Sequence, residues 1–156
     1  TEPKKTLNMS VDKSKDLLPL LIILESIGKI EVYSNNFSDP IEFYQADDQV
    51  KFNASLLLLS NVGEYSHRVS PNLKIKYADI DWKNIKNLRN RIAHDYIGID
   101  FEMVFEIINK EIPKLKNQIE QIVINEIQSG VFLKEEFELA KNSIFYRHIS
   151  FDLLKP

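Results

Sequence analysis

The chain has 156 residues and a formal net charge of −3 at pH 7, and 44% of its residues are hydrophobic. This size and composition are typical of one globular domain and exclude a wholly disordered chain. The absence of cysteine excludes disulfides, thiolate metal ligands and a cysteine nucleophile. The longest apolar run, residues 17–24, is far shorter than the roughly 20 residues of a membrane span. With no recognisable signal peptide, we expect a cytoplasmic protein with no membrane association. The net charge gives no global basic field, so any contact with nucleic acid would have to come from a local basic patch.

The first third of the chain predicts two helices after a loose start. Residues 1–10 are polar, and we expect them to form a disordered tail. Apolar residues then recur at helical spacing from about Asp12 to Ser34, which predicts a first long helix. Asp39 is a good N-cap, and Pro40 after it suits a first helical turn, so a short helix should follow through Tyr44.

The next segment predicts a second long helix, capped by Asp47 and Asp48 and running to about Val69. Its apolar surface extends far round the helix, because Leu56 and Leu59 flank the main stripe. A helix of this kind is usually buried on more than one side. We therefore expect its second side to form a subunit interface.

The remaining segments predict further helices. Asp81 caps a helix that starts at Trp82 and is closed by Gly98, and Asp100 caps a long apolar segment through Gln128 that Pro113 should kink or split. Ser129-Gly130 ends that segment, and an amphipathic helix follows around residues 135–145. Together the patterns predict an all-α up-and-down bundle of four to five main helices over residues 11–129. Residues 130–156 form a C-terminal helical extension that we expect to pack on the same domain.

The candidate functional residues lie on the helix that is predicted to start at Trp82. The sequence has no glycine-rich phosphate loop, no zinc-ligand spacing and no nucleophile elbow. On an ideal helix, one side of this segment forms an apolar stripe and the other is polar with no acidic residue. The stripe holds Trp82, Ile85, Leu88, Ile92 and Tyr96, and the polar side holds Lys83, Lys86, Asn87, Asn90 and His94. The polar side is therefore a candidate binding surface for an anion.

Arg89 lies between these two sides, about 140° from His94 on an ideal helix. The two side chains can meet through the length of the arginine, through helix distortion or across a dimer interface. Structural interpretations are open beside the functional ones: Arg89 as an ion pair with Glu64, His94 as a surface residue, and Tyr96 as a packed core residue. The two lysines of the polar side can equally bind an anion or be plain solvated residues.

The motif Arg89-Asn90-x-x-x-His94-x-Tyr96 resembles the R-x-x-x-x-H-x-Y signature of the HepT-like branch of the HEPN superfamily. The surrounding sequence is similar as well. Gly63-Glu64, Trp82 and the segment Ile112–Leu115 lie where the family has corresponding residues. The resemblance covers about residues 12–128, and residues from 131 onward have no counterpart.

This resemblance implies a HEPN-like fold and a homodimeric, metal-independent ribonuclease toxin that needs no cofactor. Arg89 and His94 would be the catalytic pair, with Asn90 supporting them and Lys83 and Lys86 contacting RNA. Imidazole titrates near neutral pH and can take the 2′-hydroxyl proton of RNA, while a guanidinium can stabilise charge on the phosphate. The family's partner is a minimal nucleotidyltransferase antitoxin of the MntA type, which AMPylates the position of Tyr96.

Two other functions compete with this one. The first is a non-catalytic HEPN module that binds a nucleotidyltransferase partner or its nucleotide, and the second is a purely structural dimerisation unit. A module that only binds does not need the Arg89/His94 spacing, so the intact pair favours the enzyme.

Overall fold

The computed structural model describes residues 15–155 and contains no strand in that range. Four long helices dominate the described chain, which confirms the predicted all-α up-and-down bundle. The helices are α1 (Leu17–Ser34), α2 (Pro40–Gln45), α3 (Val50–Arg68), α4 (Pro71–Lys76), α5 (Trp82–His94), α6 (Phe101–Glu106), α7 (Ile112–Gln128) and α8 (Lys134–Lys141). The predicted tail, residues 1–10, and the first residues of the predicted first helix lie outside the described part. None of the helices in residues 15–155 is long and apolar enough to cross a membrane.

The long helices pack in the order α5, α3, α1, α7, so that α1 and α3 are central and α5 and α7 lie at the edges. Helix α1 is buried on most of its circumference, although Leu18 and Val32 are more than half exposed. Six of its side chains are almost fully buried: Leu20, Leu21, Ile23, Leu24, Ile27 and Ile30. The buried carboxylate of Asp16 accepts hydrogen bonds from the backbone N–H of Ser70 (2.8 Å) and from its hydroxyl (2.5 Å). This contact ties the start of α1 to the start of α4.

The start of α3 differs from the sequence prediction. Asp39 caps α2 as predicted, since its carboxylate accepts from the backbone N–H groups of Ile41 and Glu42. Asp47 and Asp48, in contrast, do not cap α3. They lie with Gln49 in a left-handed stretch, with φ of 49°, 55° and 66°, and no side chain caps the helix. Aspartate tolerates this conformation better than most residues, so the pair makes a turn instead of a cap.

The apolar circumference of α3 is largely explained within the chain. Leu56 and Leu59 are buried, because α1 and α5 cover two sides of this helix. The prediction that they mark a subunit interface is therefore wrong. Leu57 (65% exposed) and Val50 (62% exposed) are the apolar side chains of α3 that remain largely uncovered in the described chain.

The predicted interruption near Pro113 is confirmed. A π-helical turn over Ile107–Glu111 separates α6 from α7. The N–H of Ile112 donates to the carbonyl of Ile107, five residues earlier, as in a π-helix. Pro113, the next residue, has no N–H to donate. The turn shifts the helical register just before Pro113, so α7 starts with a new set of residues facing the core.

The C-terminal extension contacts α1 through a buried carboxylate. Glu25 accepts hydrogen bonds from the backbone N–H groups of Arg147 (3.1 Å) and His148 (2.7 Å), and its carboxylate lies 2.8 Å from Nδ1 of His148. Helix α8 is shorter than predicted and ends at Lys141. Apolar side chains of the extension are buried against the bundle: Phe132, Phe137, Phe151 and Leu154.

Candidate functional site

Helix α5 carries the motif at the edge of the bundle. Asp81 caps it as predicted, because its carboxylate accepts from the backbone N–H (3.1 Å) and the side-chain amide (2.6 Å) of Asn84. The indole N–H of Trp82 donates to the carbonyl of Tyr77 (3.1 Å). Only Ile92 of the predicted apolar stripe is buried, and the other members are half-buried or exposed. The predicted apolar stripe of α5 is therefore buried in the core only at Ile92, and the rest of it is partly or largely exposed.

A glycine lets α5 approach α3 closely at the level of Arg89. A Cβ added to Gly63 would lie 2.5 Å from Cβ of Arg89 and 3.1 Å from the carbonyl oxygen of Ile85. Contacts this short do not occur between real side chains, so the position requires glycine. The close approach brings the guanidinium of Arg89 beside the neighbouring residue of α3, Glu64.

Glu64 binds two arginines. One carboxylate oxygen lies 2.5 Å from Nη1 of Arg89 and the other 3.3 Å from Nε of Arg68. The hydrogen bond from Arg68, together with the charge of Arg89, holds the pKa of this carboxyl below its usual value of 4.5. The ion pair that the structural interpretation of Arg89 predicted is thus present. It engages one nitrogen of a group with five N–H donors and leaves the guanidinium partly exposed.

His94 is the last residue of α5 and is exposed. Within residues 15–155 its imidazole makes no hydrogen bond or ion pair. Helix α5 is regular, so Arg89 faces α3 while His94 points to a different side, and no hydrogen bond joins them in the described chain. Of the supporting residues, Asn90 is half-exposed, and Lys83 and Lys86 are exposed.

Tyr96 lies beyond the helix, because α5 ends at His94 and not near Gly98. The prediction that it belongs to the last helical turn is wrong, and so is the alternative of a packed core tyrosine. Its side chain is 49% exposed, and its hydroxyl donates to Oδ1 of Asn53 on α3 at 2.8 Å. This contact anchors the segment after His94 to α3.

Sequence reasoning missed three contributors to this region. Asn53 and Arg68 lie on α3, far from the motif in sequence, and no periodicity signals their contacts with Tyr96 and Glu64. The Nζ atom of Lys74, on α4, lies 5.7 Å from the ring centre of Trp82. Partial burial, together with the charge of Lys86, lowers the pKa of the Lys74 ammonium group. Within residues 15–155 no group of three or more histidine, aspartate or glutamate side chains is arranged to hold a metal ion.

Comparison with known proteins places the motif in a wider match. The family model described as "Ribonuclease HepT-like" matches residues 23–122. The chain is 30% identical over 90 residues to "Putative RNase MJ1380" of Methanocaldococcus jannaschii, covering 53% of this chain and 83% of that protein. It is 30% identical over 79 residues to "Putative RNase TTE0752" of Caldanaerobacter subterraneus (51% and 70% covered). It is 26% identical over 100 residues to "Probable ribonuclease HepT" of Thermococcus cleftensis (64% and 88% covered). No solved structure matches the chain.

Proposed function

This chain belongs to the HepT-like ribonuclease family, and we propose that it is a metal-independent endoribonuclease with Arg89 and His94 as its catalytic pair. The names of its relatives support cleavage of RNA. The observation that carries the proposal is the contrast between the two side chains. Arg89 is fixed by Gly63 and Glu64 of α3, while the imidazole of His94 is exposed and has no partner within residues 15–155.

The proposed reaction is an attack by the RNA on its own backbone. The imidazole of His94 takes the proton of the 2′-hydroxyl, and the 2′-oxygen bonds to the adjacent phosphorus as the bond to the 5′-oxygen breaks. The products are a 2′,3′-cyclic phosphate and a free 5′-hydroxyl, once that oxygen has received a proton. Arg89 stabilises the charge on the phosphate oxygens during the attack, and Asn90 supports His94 from the preceding helical turn.

A second copy of the chain would complete this site. One imidazole cannot both accept the first proton and donate the second at the same moment, so the proposal needs the motif histidine of a partner subunit. Three largely exposed apolar side chains lie near the Tyr96–Asn53 contact, and we name them the α3–α5 patch: Val50 and Leu57, each about one helical turn from Asn53 on α3, and Ile97, which follows Tyr96. Exposed apolar groups clustered beside a functional motif are typical of an interface, which supports a homodimer through this patch.

The proposal extends to a toxin–antitoxin pair with a nucleotidyltransferase partner of the MntA type. The side chain of Tyr96, two residues after His94, is 49% exposed in the single chain, which leaves it open to a modifying enzyme once its hydroxyl leaves Asn53. An attached AMP would bring a negative phosphate and a bulky nucleoside beside the place where the RNA phosphate binds, and it would block the substrate. Lys83 and Lys86 would steer RNA toward the same surface.

A non-catalytic module that binds the nucleotidyltransferase or its nucleotide is the second candidate. The Arg89–Glu64 ion pair favours it, because a purely structural arginine makes this contact. In that case Arg89 would hold α5 on α3 and would have no contact with RNA.

The test is incubation of the purified protein with total cellular RNA in EDTA. We expect cleavage with 2′,3′-cyclic phosphate ends, and loss of cleavage in His94→Ala and in Arg89→Ala. His67→Ala is the matched control, since His67 is an exposed histidine outside the motif and should leave cleavage unchanged. Full activity of His94→Ala, or strict dependence on added magnesium, would contradict the mechanism.

The antitoxin proposal has its own test. Incubation with the nucleotidyltransferase and ATP should add mass in AMP units to a peptide containing Tyr96 and should abolish cleavage. Tyr96→Phe should remain an active ribonuclease and resist this inactivation. Modification at Tyr65 or Tyr77 instead would show that the last position of the motif is wrongly assigned.

A further inference from the structure

A cleft separates α5 from the π turn and the start of α7. Helix α5 packs on α3 and leaves this side open, with a cavity of about 440 Å³. The floor of the cleft is apolar and is formed by Val62, Ile85, Leu88, Ile112 and Leu115. A cavity of this volume with an apolar lining is typical of sites for small molecules. We name it the α5–α7 cleft.

Three side-chain amides stand on the rim of the α5–α7 cleft: Asn84 and Asn87 from α5, and Gln118 from α7. Asn84 is engaged with Asp81, and Gln118 reaches the carbonyl of Asp79 only at 3.5 Å. Asn87 makes no hydrogen bond within residues 15–155. An amide has a donor and an acceptor side by side, which matches the edge of a nucleobase. The rim therefore suits a base better than a purely apolar ligand.

His94 does not line the cleft, but it lies on the same side of α5 as two residues that do. Asn87, Arg91 and His94 lie within about 60° of one another on an ideal helix, and about 10 Å separates the first from the last along the axis. The charged residues that line the cleft are Arg91, Lys114, Asp79, Asp81 and Glu111, and neither of the two cations forms an ion pair within residues 15–155. Two unpaired cations at an apolar cleft suit the phosphates that flank a bound base.

We propose that the α5–α7 cleft holds one unstacked base of a single-stranded RNA, next to the phosphate at which His94 acts. A base within a duplex is stacked and paired, so its edge cannot reach the amides on the rim. The substrate class is therefore RNA that is single-stranded around the cut, with a base preference at one fixed position. This inference rests on the proposed ribonuclease function.

The cleavage test uses the full chain and a pool of single-stranded RNA with randomised sequence. We expect a base preference at one fixed distance from the cut. Cleavage of the same sequences in duplex form should be slower by a factor of at least about ten. In the double variant Asn87→Ala with Gln118→Ala, the ratio of cleavage of preferred to non-preferred sequences should fall about tenfold. The control is Gln121→Ala, an exposed amide one turn further along α7 that does not line the cleft.

A binding test separates failure of this inference from failure of the proposed function. His94→Ala protein is mixed with a short single-stranded RNA that carries 2-aminopurine, whose fluorescence reports unstacking and burial. We expect a fluorescence change that the Asn87→Ala/Gln118→Ala substitutions abolish. If the wild type cuts no RNA but this change is seen, the ribonuclease proposal fails and the base site stands. If it cuts single-stranded and duplex RNA equally, or if the double variant keeps the preference, the base site is refuted.

Discussion

Glu64 orients the guanidinium of Arg89, the group that we propose binds the phosphate of the substrate. Its carboxylate binds Arg68 through one oxygen and Arg89 through the other, so the guanidinium of Arg89 is oriented before any phosphate arrives. A pre-oriented arginine loses less side-chain entropy when it binds an anion. The same contact therefore serves the structural and the catalytic interpretation of Arg89.

Glu64→Gln should make stability less dependent on acid pH. The pKa of Glu64 is lowered in the folded chain, so its ion pairs stabilise the protein fully above the unfolded-state value near 4.5 and are lost as pH falls through the folded value. We expect wild type to be more stable than Glu64→Gln at pH 7 and the difference to shrink below about pH 4.5. Urea unfolding between pH 3 and 7 measures this. A difference in the free energy of unfolding between the two proteins that stays constant from pH 3 to 7 would mean that the ion pairs of Glu64 add nothing to stability.

Apart from the Arg89–Glu64 ion pair, the residues whose roles followed from the sequence have partners close to them in the chain. Three aspartates cap helices as predicted, each by accepting a hydrogen bond from a backbone N–H two or three residues further along the chain: Asp39, Asp81 and Asp100. Asp47 and Asp48 look like the same signal but adopt left-handed geometry, because the turn after α2 fixes their backbone. The contact between Tyr96 and Asn53 spans 43 residues and has no local signal.

At the scale of elements, Gly63 fixes the distance between α3 and α5. An alanine there would gain about 0.5–1 kcal/mol from helix propensity. The added Cβ would meet Cβ of Arg89, and we expect a net destabilisation of about 1–3 kcal/mol. Ser60→Ala on the same helix is the control and should stay within about 0.5 kcal/mol of wild type. Stabilisation by Gly63→Ala, measured by urea unfolding, would show that α5 can move away freely.

Glu25 should hold the C-terminal extension on α1. Its buried carboxylate accepts from two backbone N–H groups, and Glu25→Ala would leave both without an acceptor, at a cost of about 1–3 kcal/mol each. We expect faster hydrogen exchange and faster proteolysis over residues 142–150, with α3 and α5 unaffected. Glu31→Gln is the control, because Glu31 forms only a partly exposed pair with Lys116. Unchanged exchange in Glu25→Ala would show that apolar burial alone fixes the extension.

The sequence predicts the existence of the four long helices, but not where each helix ends or which neighbours it packs against. Apolar periodicity located the four long helices, because each buries a stripe against a neighbour. It could not say which neighbour covers which side, so Leu56 and Leu59 looked like interface residues although α1 and α5 bury them. Likewise the apolar stripe of α5 looked like a core face, while the structure leaves half of it beside an open cleft.

At the scale of the whole molecule, α5 separates the two surfaces for which we propose functions. The α3–α5 patch lies on the side where α5 meets α3, and the α5–α7 cleft lies on the other side of the same helix. A dimer through the patch would therefore leave the cleft open to RNA. His94, at the end of α5, lies between the two surfaces and can meet both a partner subunit and a substrate.

The last prediction tests this arrangement through the oligomeric state. Leu57 and Ile97 are 65% and 99% exposed in the single chain, so an aspartate at either position should not unfold it. In a dimer through the α3–α5 patch, the same aspartate would bury a charge in an apolar contact and break the interface. We expect Leu57→Asp and Ile97→Asp to be folded monomers in light scattering and to lose RNA cleavage although Arg89 and His94 are intact. Leu139→Asp, an exposed leucine of the C-terminal extension, should remain dimeric and active. A monomeric wild type, or monomeric variants with full activity, would refute a site completed by two subunits.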